Sequence, residues 1–145
     1  MSAILCPVRG GPDSQPTIRR ALALAQEQQL KVVFLYVVNL DFLTATASSR
    51  SQVIREELTE LGQFILETAR LQAEQAGVQS ETAVREGNVT EQIVAQSKES
   101  HVRYIVLGAP RRERSQNVFA HQGLEDLAER LQADTGAKVI LAEGV

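Results

Sequence analysis

The chain has 145 residues, of which 43% are hydrophobic and 4% aromatic, and it carries a formal net charge of −3. This length predicts a single domain over residues 1–145 with an aliphatic core. The acidic balance argues against general nucleic-acid binding, which needs a strongly basic face. No apolar run approaches the roughly 18 residues of a membrane span, and no signal peptide is recognisable. Cys6 is the only cysteine, so no intrachain disulfide is expected and a cytoplasmic location is favoured.

The first part of the chain predicts two buried strands joined by a helix. Residues 3–8 form an apolar run that is typical of a buried strand. A helix is predicted from Pro16, since a proline is tolerated in the first turn and apolar residues then recur at helical spacing. Residues 31–38 are apolar on both faces, which is typical of a central strand in a parallel sheet.

A long helix is predicted in the middle of the chain. Polar residues 39–51 indicate a loop, and residues 52–76 then form a helix that Gly77 ends. Residues 80–85 alternate weakly between polar and apolar, as an edge strand does. The apolar stripe that we expect the long helix to bury consists of Ile54, Leu58, Leu61, Ile65 and Ala69.

The last third repeats the alternation of helix and strand. A short helix over residues 90–100 precedes a buried strand at 102–107. Residues 109–120 are polar and rich in arginine, which predicts a loop. A final helix over 123–133 then leads to a strand at 138–142.

This alternation predicts an α/β fold with a doubly wound, five-stranded parallel sheet and helices on both faces. The expected strand order is 3-2-1-4-5, which places the first and fourth strands side by side. Ligands bind where the crossovers from two neighbouring strands leave in opposite directions. Arg9 follows the first strand and Arg111 follows the fourth, so both should face one cleft, and an anion is the expected ligand.

The layout of the whole chain resembles the universal stress protein family. The resemblance rests on Ile-Leu-Cys-Pro-Val at residues 4–8, Val-Val-Phe-Leu-Tyr-Val-Val at 32–38 and Tyr-Ile-Val-Leu-Gly-Ala at 104–109. Gly87 after the third strand and Lys-Val-Ile-Leu at 138–141 add to it. The family implies the adenine nucleotide alpha hydrolase-like fold and a non-catalytic binding or regulatory role in the stress response.

The family's ATP-binding motif is incomplete in this chain. That motif reads Gly-x2-Gly-x9-Gly-(Ser/Thr) after the fourth strand, where glycines let backbone amides wrap the phosphates. Gly108 occupies the first position, but the second is Arg111 and the third is His121. Gly123 comes two residues late, and Arg9 stands where the family has an acidic residue that contacts the nucleoside. We therefore expect that the cleft does not hold ATP in the family's usual mode.

A changed anionic ligand, ATP or AMP included, remains open because arginine holds phosphate through charge and a bidentate fork. In that case a flat group such as adenine would be flanked by apolar residues, the arginines would meet phosphate and a glycine would allow close backbone approach. The alternative is a solvated arginine loop beside an empty cleft. The predicted ligand-binding residues are Pro7, Val8, Arg9, Val38, Gly108, Arg111 and Gly123.

The first turn supports an alternative. Residues 9–14 read Arg-Gly-Gly-Pro-Asp-Ser and look like the Ser-Gly-Gly-x-Asp-Ser loop of ATP pyrophosphatases, which adenylate their substrates. Two glycines and the helix amides would cradle pyrophosphate over Gly10 to Ser14. Against it stands a plain tight turn with a helix cap, and Pro12 lacks an amide hydrogen. The sequence offers no catalytic triad and no Cys/His cluster for a metal, so neither catalytic nor metal-binding residues are predicted.

The final strand predicts a partner. Val139–Ala142 is apolar and lies at the expected edge of the sheet, where an exposed strand is normally covered. In universal stress proteins this strand pairs across a two-fold axis. The resemblance therefore implies a homodimer through Val139–Ala142.

Overall fold

The computed structural model describes residues 2–9, 14–40, 48–108 and 118–142. Its strands and helices alternate along the chain, as the sequence predicts. The strands are β1 Ala3–Pro7, β2 Lys31–Val38, β3 Ser80–Glu86, β4 Val102–Gly108 and β5 Lys138–Ala142. The helices are α1 Gln15–Gln28, α2 Ser48–Gln75, α3 Val89–Glu99 and α4 Val118–Thr135.

The strands form one parallel sheet in the order β3-β2-β1-β4-β5, which confirms the predicted topology. Parallel strands need crossover connections, and the helices supply them. The pairing of β1 with β4 shifts register once, because Ala3 pairs with Val102 whereas Ile4 pairs with Tyr104. β1 and β4 therefore run side by side, and their carboxyl ends lie at the same edge of the sheet.

Each face of the sheet carries its own apolar core. On one face, residues of α1 and α2 such as Leu22 and Leu66 pack on Ile4 and Phe34. On the other face, residues of α3 and α4 such as Ile93 and Leu131 pack on the alternate residues of the same strands. The sheet is thus covered by two helices on each side, which is the predicted doubly wound arrangement.

Cys6 lies in β1 and is fully buried in the core that α1 and α2 cover. Removal of the thiolate from water raises the pKa of Cys6 to about 12. A thiol in this setting behaves as a small apolar side chain rather than as a nucleophile.

Helix α2 differs from its prediction in two ways. It begins at Ser48, four residues before the predicted start, and the rest of the predicted loop, residues 41–47, lies outside the described residues. Leu61, expected in the buried stripe, is 49% exposed, so that assignment is wrong. Gly62 takes the inward position instead, because the ring of Tyr36 fills the space that a side chain would need. The residues that face the core are Leu58, Gly62, Ile65, Leu66, Ala69 and Ala73.

Helix α4 also begins earlier than predicted. It begins at Val118, so residues 118–120, for which the sequence predicts a loop, are helical. Glycine disfavours helix interiors and therefore predicts a helix boundary at Gly123, but this residue is the sixth of α4. None of the helices in the described ranges is long and apolar enough to cross a membrane.

We expect Gly62→Val to destabilise the fold. A Cβ at residue 62 would lie 2.7 Å from Cε2 and 2.8 Å from Cγ of Tyr36, so the helix or the ring must shift. Overpacking of this kind costs about 1–3 kcal/mol. Urea denaturation followed by circular dichroism measures the loss, and Gln63→Val at the exposed neighbouring position serves as the control. Equal stability of the two variants would contradict the role given to Gly62.

Candidate functional site

The carboxyl ends of β1 and β4 meet at the point where the strand order reverses. The chain leaves β1 through α1 toward β2 on one side, and it leaves β4 through α4 toward β5 on the other. Leu5 pairs with Ile105, and extension of that register sets Val8 opposite Gly108. In doubly wound sheets this crevice is where ligands bind. The carboxyl ends of β1 and β4 therefore border this crevice, and the ligand-binding role of the residues there stays a prediction.

The two predicted valines belong to the core. Val8 is 4% exposed, and its N–H donates to the carbonyl oxygen of Leu35 at 2.8 Å. Val38 is 2% exposed, and its carbonyl oxygen accepts the N–H of Gly87 at 3.0 Å. Both side chains pack in the cluster that α1 and α2 cover, whereas Pro7 is half-buried. Of these three apolar residues, only Pro7 is partly exposed, and the two valines are core residues at the carboxyl ends of β1 and β2.

Arg9 is the only charged residue among the predicted site residues that the structure describes. Its side chain is exposed, and its backbone N–H donates to Oγ of Ser14 at 3.4 Å. That contact brings Arg9 close to the N-terminus of α1, whose first turn contains no acidic residue. The backbone of an exposed arginine thus lies beside the positive end of a helix dipole, and both the cation and the dipole favour an anion.

Gly108 has a packing role that sequence reasoning missed. A Cβ at this position would lie 2.7 Å from Oγ1 of Thr17, a buried residue of α1. Glycine thus allows the end of β4 to approach α1 closely, independently of any ligand. The sequence signal for this contact is a buried threonine in the first turn of α1, next to the turn from β1.

The remaining predicted residues lie partly outside the described ranges. Arg111 lies outside the described residues, as do Gly10, Gly11, Pro12 and Asp13 of the pyrophosphatase-like turn. Gly123 lies inside α4 rather than in a loop, so it is not at the start of the helix as predicted. Ser14, the last residue of that turn, is buried, and its hydroxyl oxygen accepts the Arg9 amide hydrogen.

Metal ligands do not assemble in the part of the chain that the structure describes. No group of three or more His, Cys, Asp or Glu side chains lies close enough there to hold an ion. Within the described ranges, the residues of the predicted site combine buried valines, the exposed Arg9 and the amino end of α1.

The comparison with known protein families decides the relationship. A family model described as "Universal stress protein family" matches residues 1–135. The chain belongs to the universal stress protein family.

Two curated universal stress proteins are similar in sequence. Universal stress protein YxiE of Bacillus subtilis is 31% identical over 115 residues, which are 73% of this chain and 77% of that protein. Universal stress protein MJ0531 of Methanocaldococcus jannaschii is 30% identical over 106 residues, which are 72% of this chain and 62% of that protein. The chain thus spans less than two thirds of the length of MJ0531.

Solved universal stress proteins share the fold. UspA from Lactobacillus plantarum superposes with a TM-score of 0.80 at 19% identity, covering 97% of both chains. The Archaeoglobus fulgidus protein in complex with dAMP has a TM-score of 0.64 at 14% identity and covers 97% of both chains. An Arabidopsis thaliana family member with AMP bound has a TM-score of 0.64 at 15% identity, covering 100% of this chain and 93% of that one. At these identities the likeness is one of fold.

The contact between Gly108 and Thr17 predicts a coupled pair of mutations. We expect Gly108→Ala to lower the free energy of unfolding by about 1–3 kcal/mol, because the new methyl group meets Oγ1 of Thr17. In a Thr17→Ala background that hydroxyl is absent, so the same substitution should cost little. Denaturant unfolding of the four proteins gives the coupling energy. A cost that is the same in both backgrounds would separate Gly108 from Thr17.

Proposed function

We propose that this protein is a non-catalytic, single-domain, homodimeric universal stress protein of the cytoplasm. It acts as a binding or regulatory module whose cleft does not hold ATP in the family's usual mode. The observation that carries the proposal is the state of the ligand motif. Its first glycine, Gly108, already serves the packing of Thr17, and its second position is Arg111. A backbone cradle for a triphosphate needs glycines at both positions.

A second candidate function is the binding of a small anion, a nucleoside monophosphate above all, at Arg9. The exposed Arg9, whose backbone lies beside the N-terminus of α1, supports it, since a guanidinium and a helix N-terminus both attract a phosphate. Two proteins of the same fold, one in complex with dAMP and one with AMP bound, support the choice of ligand. Arg111, which follows β4 in the sequence, would be a second phosphate contact.

An adenylating activity has less support than either. It needs the Ser14 hydroxyl for a pyrophosphate, but that oxygen already accepts a hydrogen bond from the Arg9 backbone. Pyrophosphate release from ATP that disappears in Ser14→Ala would establish it.

The homodimer is proposed through β5. Among the described strands it pairs only with β4, so its other side is a sheet edge, and Val139, Ile140 and Leu141 are all half-buried. The N–H of Val139 donates to Oε1 of Gln132 at 3.1 Å rather than to β4. Backbone groups alternate in direction along a strand, so Val139 and Leu141 present theirs to the free edge while Ile140 pairs with β4.

Calorimetric titration with ATP and AMP tests ligand binding. We expect ATP to bind no tighter than AMP, because the extra phosphates find no glycine cradle. Arg9→Gln should weaken AMP binding about tenfold, the effect of one charged hydrogen bond. Arg19→Gln is the matched control, since Arg19 is an exposed arginine of α1 whose Nε donates to the carbonyl oxygen of Gln15.

Each outcome separates the candidates. Binding of ATP at least tenfold tighter than AMP would overturn the proposal and restore the family's usual mode. Absence of heat with both nucleotides would exclude the anion site and leave an interaction module with an empty cleft. Mass spectrometry of denatured protein checks whether a nucleotide was already bound.

Leu141→Pro tests the dimer. Proline removes an N–H that faces the free edge of β5 and leaves the pairing of Ile140 with β4 in place. We expect a monomer by light scattering after gel filtration, whereas Leu141→Ala keeps the N–H and should remain dimeric. Two dimeric variants, or a monomeric unmodified protein, would exclude pairing through β5.

A further inference from the structure

The opposite edge of the sheet, strand β3, has backbone groups without partners. The N–H of Val32 donates to the carbonyl oxygen of Gln79, and the N–H of Gly87 donates to that of Val38. Together with the register of Val32 on Ser80, these bonds show that odd-numbered residues of this segment pair with β2. The N–H and C=O groups of Thr82 and Val84 therefore face outward, and within the described ranges no hydrogen bond reaches them.

A cavity of about 550 Å³ lies along this same edge. Helix α3 packs over β2 and β4 and against α4, and it is joined to β3 by hydrogen bonds from Arg85. Side chains of β3, the first residue of β2 and the carboxyl end of α3 surround the space. The main lining residues are Lys31, Glu81, Arg85, Gln96, Glu99 and His101.

Arg85 supplies hydrogen-bond donors to this cavity that no group within the described ranges uses. Its Nε donates to Gln92 at 2.9 Å, and its Nη1 donates to Gln96 and to Glu99, both at 3.0 Å. A guanidinium has five N–H donors, so the two on Nη2 remain. No buried side-chain nitrogen or oxygen in the described residues lacks a partner, which means that Nη2 lies at the accessible surface. Arg85 is one of the residues that line the cavity, so a group bound there is within reach of its guanidinium.

The charges around the cavity select the kind of group that fits. Glu81 forms an ion pair with Lys31 at 3.0 Å, so Lys31 already balances the negative charge of its carboxylate. Glu99 is the only carboxylate bound to Arg85 in the described chain, and its side chain is 69% exposed. Nη2 of Arg85, held in place by three other hydrogen bonds, is then the donor to which an incoming carboxylate would bind.

We propose that β3 binds an extended, acidic segment of a partner protein by strand addition. The partner's backbone pairs with the outward groups of Thr82 and Val84, and one Asp or Glu side chain enters the cavity and accepts from Nη2 of Arg85. Alternate residues of the segment point to the other face, where Val84 is exposed and apolar partner side chains would cover it. This mode draws affinity from the main chain and specificity from the pocket. The surface is separate from the crevice between β1 and β4, so the inference goes beyond the proposed function.

A short peptide provides a direct test. The probe is N-acetyl-Thr-Val-Glu-Val-Thr-amide, which places glutamate on one face and the two valines on the other. Titration into ¹⁵N-labelled protein should shift the amide signals of Thr82 and Val84 and the Nε signal of Arg85. The glutamine version of the peptide should bind about tenfold more weakly, because it loses a charged hydrogen bond.

Two sets of variants distinguish backbone pairing from nonspecific binding. Methylation of the peptide amides that face β3 should abolish binding, whereas methylation of the alternate amides should not. In the protein, Val84→Pro removes an outward N–H that β2 does not use, and Val84→Ala retains it. Glu99→Gln should tighten binding of the glutamate peptide severalfold, because it removes a negative charge that lies 3.0 Å from Nη1 of the same guanidinium and repels an incoming carboxylate.

The proposal is overturned by any of several results. These are the absence of binding up to millimolar peptide, equal affinity for the glutamate and glutamine peptides, or indifference to the position of amide methylation. Shifts centred on Val8 and Gly108 would assign the peptide to the crevice instead. Self-association that disappears in Val84→Pro but persists in Leu141→Pro would identify the occupant as a second copy of the chain.

Discussion

The burial of β1 between β2 and β4 is the constraint on which the rest of the structure depends. Alternate residues of this strand contribute to two separate cores, with Ile4 and Cys6 on one side and Ala3 and Leu5 on the other. All four of these residues are fully buried. A strand that is covered on both faces and paired on both edges can present only its ends to solvent. The chemistry that β1 brings to the crevice is therefore limited to the residues just beyond its carboxyl end, where an exposed arginine comes after a buried valine.

Close approach of a helix to the sheet recurs at two glycines, with different consequences for function. Gly62 lets α2 lie against the ring of Tyr36, at a position that the family's ligand motif does not include. Gly108 lets the end of β4 lie against Thr17, at a position where the family's ligand motif also has glycine. The same residue type thus satisfies a packing requirement at both places. A glycine at a motif position is for this reason weak support for a ligand unless the neighbouring motif positions agree, and here Arg111 does not.

The sheet order was predictable from the sequence because alternation of strands and helices, together with the handedness of crossovers, leaves few topologies. The inward face of α2 was not predictable from the sequence, since the apolar residues of this helix fit two overlapping stripes at helical spacing. Glycine is counted in neither stripe. Gly62 rather than Leu61 faces inward only because a bulky tyrosine lies beneath it, and that is a contact between residues 26 positions apart. The position of the crevice followed from the topology. The burial of Val8 and Val38 depended on the packing of α1 and α2 against the sheet. The cavity beside Arg85 depends on the lateral position of α3, which no local pattern encodes.

The solitary cysteine gives the molecule an internal reporter of its own opening. Cys6 lies at the centre of the most protected strand, fully buried and with its pKa raised to about 12. A thiol reagent needs access to the sulfur atom and needs the thiolate form, and the folded state provides neither. Labelling at neutral pH then proceeds only through molecules in which the central strand has come apart. The rate of modification measures the population of globally open chains, and it does so in the unaltered protein at concentrations and temperatures where no denaturant is present.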